Sequence, residues 1–432
     1  MAERESVGIV LLGLGVVGSG VARALTERAE TYADRVGARI ELRKVLVRDA
    51  ARRRDFAPDR SLITTDPAEA LGTDCDIVVE VMGGEDPARE YIQESLSRGR
   101  WVVTANKELM AKYGPELLAQ ATAGGADILY EASVGGGMPI VSPLRRDLSA
   151  NEITSVRAII NGTTNYILTR MSREGASFDD ALRQAQDLGY AEKPDPSSDV
   201  EGFDAVYKLA ILASLAFHGH VRVEDVYREG ITQLRPRDFR YADELGYAIK
   251  LLAIGRRDDD GISVRVHPAL VPKDELLANV DGVLNAVQVE GDLIGRVLFQ
   301  GAGAGSMPTT SAIMADVLEA SRSIVRGNRP APWRYTADMA MKTISQLTTR
   351  YYIRVEVSDR PGVLAEIARA CGDNNVSIAS VLQKETDDEA QTAEIVIMTH
   401  AAQEADVQRS ISQIERLKGD VRCVGSVLRV ED

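Results

Sequence analysis

The residues best suited to chemistry lie between Leu188 and Leu209, in LGYAEKPDPSSDVEGFDAVYKL. Two prolines, a glycine and two serines mark Leu188–Ser198 as a loop with fixed turns. From Asp199 onward the apolar spacing turns helical, with Phe203, Val206, Leu209 and Ala210 on one face. Asp204 and Lys208 then stand one turn apart on that helix. A surface ion pair is the commoner meaning of such spacing. Against it stands the run KLAILASLAF, too apolar for a surface helix. The preceding loop also supplies Glu192, Asp195, Asp199 and Glu201. A lysine at the start of a buried helix, faced by carboxylates, can give or take a proton.

A second lysine is placed with equal care. The strand Trp101–Thr104 ends in Ala105-Asn106-Lys107, which points these groups into the crevice where open α/β sheets bind ligands. Lys107 at a helix start opposes the helix dipole, and a broken local rule at a ligand edge marks a functional candidate. Upstream, Val7–Leu12 reads as a buried parallel strand, followed at once by GLGVVG and a helix pattern. Gly13, Gly15 and Gly18 have dinucleotide-binding spacing, and strand before and helix after are both visible. Leu14, Val16 and Val17 complete the cofactor turn, whose helix offers N–H groups to phosphate. After the strand Arg39–Val47, Arg48 precedes Asp49 and the run Arg52–Arg54, a setting that favours the 2′-phosphate of NADP, with NAD as the alternative. Gly83, at the end of the strand Asp76–Val81, and Thr104 are further cofactor candidates.

These segments define the architecture. Residues 1–145, completed by 306–330, read as a Rossmann-type, doubly wound α/β dinucleotide-binding domain. Residues 146–305 read as an α+β substrate and dimerisation domain. Helices are expected at Phe178–Leu188, Val200–Phe217 and Ala242–Ile254, and hairpin turns at Asp281-Gly282 and Glu290-Gly291-Asp292. In NGTTNYIL, Thr163 or Thr164 could cap a helix. Gly301–Pro308 is a second glycine loop before a helix. NRPAPWRY opens a linker, 331–349, and residues 350–432 follow a βαββαβ order that is ferredoxin-like and long enough for an independent domain.

Composition narrows the partners. A net charge of −14 disfavours a nucleic-acid surface, and no apolar run reaches membrane length. The run Arg52–Arg54 among Asp49, Asp55 and Asp59 reads as a solvated loop. Three cysteines without paired spacing suit a reducing compartment, and the lack of a targeting segment points to the cytoplasm. His218-Gly219-His220 is better read as a helix end than as a metal pair.

Taken in order, GLGVVG, TANKELMA, EASVGGGMP, NGTTNYIL, LGYAE, DVEGFDAVYKLAILA and GAGAGSMPT resemble the homoserine dehydrogenases over residues 7–327. The tail, with DRPGVL at Asp359–Leu364 and NNVSI at Asn374–Ile378, resembles an ACT domain. The resemblance implies NAD(P)-dependent interconversion of L-aspartate 4-semialdehyde and L-homoserine, on the route to threonine and methionine. It implies Lys208 as proton donor, Lys107 as a second active-site lysine, and Glu192 and Asp204, with Asp199 beside them, as substrate ligands. It also implies a sodium site at Glu131 with the carbonyls of Val134, Gly136 and Met138, and a second cofactor contact at Gly303. Threonine as effector of the ACT domain and a homodimer or homotetramer follow from the same likeness. The loop at Lys193-Pro194 is one residue longer than is common in the family, which leaves Glu192 and Asp195 as alternatives for the substrate contact.

Two other classes compete. A thioester-forming aldehyde dehydrogenase needs an activated cysteine, and none of Cys75, Cys371 and Cys423 lies in a motif. A cofactor-sensing regulatory protein would not need Lys107, Asp204 and Lys208. A dehydrogenase of another small amino-acid alcohol is the third reading. Hydride delivery to an aldehyde leaves an alkoxide that needs a proton, and the four histidines lie outside every motif, so lysine must supply it. Homoserine oxidation is therefore expected to accelerate from neutral to strongly alkaline pH; a flat rate profile over that range would exclude lysine as the base.

Overall fold

A computed structural model of the chain describes residues 4–328, 333, 335, 340–387, 391–417 and 419–431. Most of the boundary read at 328–335 lies outside them. The chain divides into two compact units, one of residues 1–156, 207–224 and 285–339, the other of residues 157–206, 225–284 and 340–432.

The first unit is built on a six-stranded sheet in the order Ile63–Thr64, Arg39–Leu46, Ser6–Leu12, Ile77–Glu80, Trp101–Thr104, Ile128–Leu129. Every pairing is parallel, which gives the doubly wound order 3-2-1-4-5-6. The strand Ser6–Leu12 shows why its sequence is a continuous apolar run. Val7, Ile9 and Leu11 pack with Val21, Leu25, Ile313 and Val317, whereas Val10 and Leu12 pack with Ala70, Leu71 and Val78 on the opposite face. Ile313 and Val317 come from the helix Ser306–Arg326, so a segment remote in sequence closes this core. The strands Leu284–Gly291 and Gly295–Ala302 are sheet neighbours across the turn expected at Glu290-Gly291-Asp292.

In the second unit the expected helix Ala242–Ile254 is not formed. A helix occupies Pro236–Glu244, and Tyr247–Asp258 is a strand antiparallel to Gly261–Pro272. Residues 249–255 are buried without a gap, so the strand is covered on both faces and shows no alternation. Asp281-Gly282 is likewise not a hairpin turn. Asp281 accepts from Lys250 at 2.9 Å and also pairs with Arg173, a loop role tied to a buried lysine.

The C-terminal strands lie in the order Val421–Val430, Tyr351–Ser358, Thr392–Thr399, Ile378–Asp387, the 4-1-3-2 arrangement of a ferredoxin-like sheet. Helices Val363–Asp373 and Glu404–Ile414 supply Val363, Ile367, Val407, Ile411 and Ile414 to its core. This sheet does not stop at its own edge. Val421–Val430 pairs in parallel with Gly261–Pro272, through Ala269↔Arg429 and Leu270↔Val430. Buried ion pairs reinforce the seam. Arg429 donates to both Glu404 carboxylate oxygens at 2.7 Å and to both Glu229 oxygens at 3.0 Å. Arg354 donates to Asp238 at 2.7 Å and to Glu394 at 3.0 Å.

Burial pushes the Glu404 carboxyl up, but bonds from Arg429, Gln408 and Tyr351 outweigh it and leave the group below the ordinary glutamate value. A carboxylate so depressed stabilises the fold above the unfolded-state pKa and loses that contribution as pH falls through the folded one. Glu404→Gln should therefore lower the melting temperature at pH 7, and the gap to wild type should close as melts are repeated below about pH 4, the unperturbed glutamate range; a gap of constant size would contradict the assignment.

Candidate active site

In the first unit the glycine loop is shaped by contact between main chains. Gly13 has φ 103°, and a Cβ there would lie 2.9 Å from the Val81 carbonyl oxygen. A Cβ on Gly18 would lie 2.2 Å from the Gly13 carbonyl oxygen, whereas Gly15 has open space around it. The helix Val16–Glu27 begins at Gly15, which brings no side chain to cap its first N–H groups. Gly13, Leu14, Gly15, Arg48 and Gly83 line one open cavity of about 510 Å³. This arrangement fits a dinucleotide: backbone at the turn, a helix start for the pyrophosphate, and room beyond.

Two arginines read as parts of a solvated loop line the same cavity, Arg52 and Arg54. Arg54 donates to the carbonyls of Leu14 (3.0 Å), Arg52 (2.7 Å) and Asp49 (2.6 Å), and so ties the loop after Arg39–Leu46 to the glycine turn. The Asp49 carboxylate is spent locally on the Ala51 N–H at 2.8 Å. Their clustering with Arg48 was the available signal, diluted by the surrounding aspartates.

The other edge of the cavity depends on Glu80, which the sequence reading passed over, together with Thr104 and Asn106. Glu80 is fully buried and accepts from Met82 N–H (2.7 Å), Gly83 N–H (3.2 Å) and the Thr104 hydroxyl (2.6 Å). Burial raises its pKa, and those bonds only partly offset the effect. Thr104 in turn accepts the Asn106 N–H at 3.0 Å. Asn106 caps the helix Lys107–Gly124 through Leu109 N–H at 3.2 Å and donates to the Gly84 carbonyl at 2.7 Å. Lys107 is thus the first helical residue of a tightly bonded corner. Its neighbour Glu108 accepts from Lys112 at 2.7 Å and lies 3.5 Å from the hydroxyl of Tyr207, the residue before Lys208. The positions flanking the two lysines are therefore in contact.

The expected helix Val200–Phe217 is broken. One turn covers Ser197–Val200, Gly202 reverses the chain with φ 84°, and the helix proper is Phe203–Ala216. Asp204 is buried. The cap in NGTTNYIL is neither threonine but Asn161, whose amide oxygen accepts from Thr164 N–H at 2.8 Å. Its amide nitrogen donates to Asp199 at 2.7 Å and to Asp204 at 2.9 Å, which brings two of the expected substrate ligands onto one residue. Glu192 is exposed, and its carbonyl accepts from Gln186 at 3.1 Å. Asp195 is also exposed, with its carboxylate held on Ser197 N–H at 3.0 Å and its pKa lowered by that contact.

Glu131, in the first unit, is buried, with its carboxylate accepting from Ile140 (2.6 Å), Val141 (2.9 Å) and Ser142 (2.6 Å). Gly135 and Gly136 follow with φ 74° and 57°. A Cβ on Gly136 would lie 2.5 Å from the Gly303 carbonyl oxygen, so the two glycine segments touch. His218 stacks on Trp333 at 5.3 Å and His220 lies 6.0 Å from the Tyr335 ring, just past the end of the helix Phe203–Ala216. Among the described residues no group of three or more His, Cys, Asp or Glu side chains could hold a metal, and no helix is long and apolar enough to cross a membrane.

Known proteins share this architecture along its whole length. Residues 13–131 match the family model for the homoserine dehydrogenase NAD-binding domain, residues 139–318 the model for homoserine dehydrogenase, and residues 351–419 that for the ACT domain. The homoserine dehydrogenase of Neisseria gonorrhoeae is 42% identical over 96% of this chain and 96% of its own. That of Corynebacterium glutamicum is 43% identical over 99% of this chain and 96% of its own. The crystal structure of a homoserine dehydrogenase from Thiobacillus denitrificans superposes with a TM-score of 0.91 at 42% identity, covering 99% of both chains. A hyperthermophilic archaeal homoserine dehydrogenase in complex with NADPH matches 73% of this chain and 98% of its own, at 28% identity and a TM-score of 0.62. The chain belongs to the homoserine dehydrogenase family, oxidoreductases that interconvert L-aspartate 4-semialdehyde and L-homoserine with a nicotinamide cofactor.

Proposed function

We propose that the two lysines divide the work of that reaction. Lys208 supplies the proton to the alkoxide formed when hydride reaches the aldehyde carbon. Lys107 places its positive charge near the same oxygen and the nicotinamide. The observation that carries this reading is the contact between Glu108 and Tyr207, the direct neighbours of Lys107 and Lys208. Asp204 and Asp199, held on the one Asn161 amide, receive the polar ends of the substrate, together with Glu192. The commitment of Asp195 to Ser197 N–H favours Glu192 over Asp195 for that contact. A thioester mechanism is disfavoured further, because burial pushes the Cys75 thiol up to about 11 and leaves it protonated at neutral pH.

The cofactor is NADP in preference to NAD. Arg48 and Arg52 line the cavity beyond the glycine turn, while the one acidic side chain at that strand end is bonded to its own loop. An archaeal relative is described in complex with NADPH, in accord with this reading. Val16, Val17, Gly18, Gly83, Thr104 and Gly303 complete the cofactor contacts. A sodium ion fits Glu131 and the carbonyls of Val134, Gly136 and Met138. Oxygen donors suit a hard cation, and three accepted N–H bonds leave about one lone-pair position on the carboxylate. Bound there, the ion would stiffen the loop that touches Gly303. In the ACT domain the helix Val363–Asp373 opens at Gly362 with no side-chain cap, which suits the carboxylate of a threonine effector. The enzyme is placed in the cytoplasm and assembles as a homodimer or homotetramer.

Lys208→Ala should lower kcat for semialdehyde reduction by about 10²–10⁴ while NADPH still binds, as read by its fluorescence. Arg48→Ala should cost NADPH about tenfold in kcat/KM, the worth of one charge-assisted bond, and leave NADH nearly unchanged. A Lys208→Ala enzyme with wild-type turnover would remove lysine from the proton step.

A further inference from the structure

The strand Leu284–Gly291 carries a residue that its surroundings do not call for. Asn285 is 1% exposed, between the apolar Leu284 and Ala286, and neither its amide nitrogen nor its amide oxygen has a hydrogen-bond partner among the described residues. A primary amide can make several hydrogen bonds, and a buried one that makes none is rare enough to need an explanation. Leucine has the same branched outline, with methyl groups in place of the amide ends, and would occupy the position without that cost.

The side chain faces the second glycine loop. A Cβ on Gly303 would lie 2.1 Å from the Asn285 amide carbon, 2.1 Å from its nitrogen and 2.3 Å from its oxygen, so the amide lies flat against the Gly303 α-carbon. On its other side Gly303 meets Gly136, whose Cβ position is 2.5 Å from the Gly303 oxygen and 2.9 Å from the Ala304 nitrogen. The Gly137 N–H donates to the Ala302 carbonyl at 3.2 Å. The loop is pinned at Ala302, and Gly305 follows with φ 118°. Between those points Gly303 brings no side chain of its own to hinder rotation of its peptide groups. Such a rotation would turn a loop C=O or N–H onto an amide that is already in place.

We propose that Asn285 is a positioning residue for the nicotinamide cofactor: its amide takes up hydrogen bonds with the main chain of the Gly303–Gly305 loop when the cofactor draws that loop in. The proposal rests on the reading that this loop touches the cofactor. Asn285 does not touch the reacting atoms; it sets where the loop comes to rest.

The test compares the full-length enzyme with Asn285→Leu, which keeps the branched outline and removes both polar ends, Asn285→Asp, which exchanges the amide donor for a carboxyl oxygen, and Gly303→Ala. NADPH affinity is read by fluorescence titration, KM for NADPH and for semialdehyde by steady-state kinetics, and stability by melts with and without NADPH. Asn285→Leu should melt at or above the wild-type temperature without NADPH. It should bind NADPH about tenfold more weakly, a change on the scale of one lost hydrogen bond, and keep its semialdehyde KM. Asn285→Asp should fall between the two, and it carries the test if Asn285→Leu does not fold. Wild-type NADPH affinity in the Asn285 variants overturns the proposal. If Gly303→Ala then binds NADPH poorly, the loop's cofactor role stands without Asn285; if Gly303→Ala also binds normally, that role falls too.

Discussion

Where the carbonyl of one segment rests on the α-carbon of another, a side chain has no room, and the cofactor half of this enzyme hangs on three such contacts. Gly13 rests on Val81, Gly18 on Gly13, and Gly136 on Gly303. The first two bring the opening turn onto the end of the fourth strand and so set the width of the cleft. The third seats the loop after Ile128–Leu129 on the loop before Ser306–Arg326. Because the contacts are main chain to main chain, they cannot be relieved by a change of rotamer. The polar side chains around them, Glu80, Thr104, Asn106 and Arg54, then fix loops whose spacing the glycines have already determined.

The second unit is held by the opposite device, charge taken out of water. Arg354 with Asp238 and Glu394, and Arg429 with Glu404 and Glu229, are multiply bonded and mostly buried. Removing one partner from such a pair costs about 3–5 kcal/mol, because the other charge is left stranded. Geometry that demanding admits one register only, which suits a seam that must align the C-terminal sheet with the strand Gly261–Pro272. Gly425 belongs to the same device, since a Cβ there would lie 2.7 Å from the Arg354 guanidinium.

The elements most legible in the sequence were those with a distinct period or a distinct break. Ser6–Leu12 is apolar at nearly every position, the mark of a parallel strand covered on both faces, and GLGVVG follows it without a spacer. The same reasoning failed at Tyr247–Asp258, where an apolar run interrupted by Lys250 was read as helix. Periodicity cannot separate the two when both faces are buried. The loop before Phe203 was read correctly as turn-rich, but the reversal at Gly202 was hidden inside a good helical pattern. Asn161 was overshadowed by the two threonines after it, although an asparagine three residues before a helical N–H is the better cap. Glu80 gave no signal at all. A carboxylate that ends an apolar strand looks like the point where the strand meets water, and only the fold shows the backbone N–H groups gathered on it.

The parallel pairing of Ala269 with Arg429 gives the C-terminal domain an unusual kind of attachment. A tethered module can be cut away at its linker, and the remainder goes on as before. Here excision would bare the strand Gly261–Pro272 at Ala269 and Leu270, and it would take with it Glu431, the carboxylate to which the buried Arg265 donates at 2.6 Å. A strand left in that condition is adhesive, ready to pair with the same strand of another copy. Domain shuffling in this architecture is therefore constrained by solubility: loss of the C-terminal domain has to be matched by a new cover for the bared edge, or the shortened enzyme is lost to aggregation before its kinetics can matter.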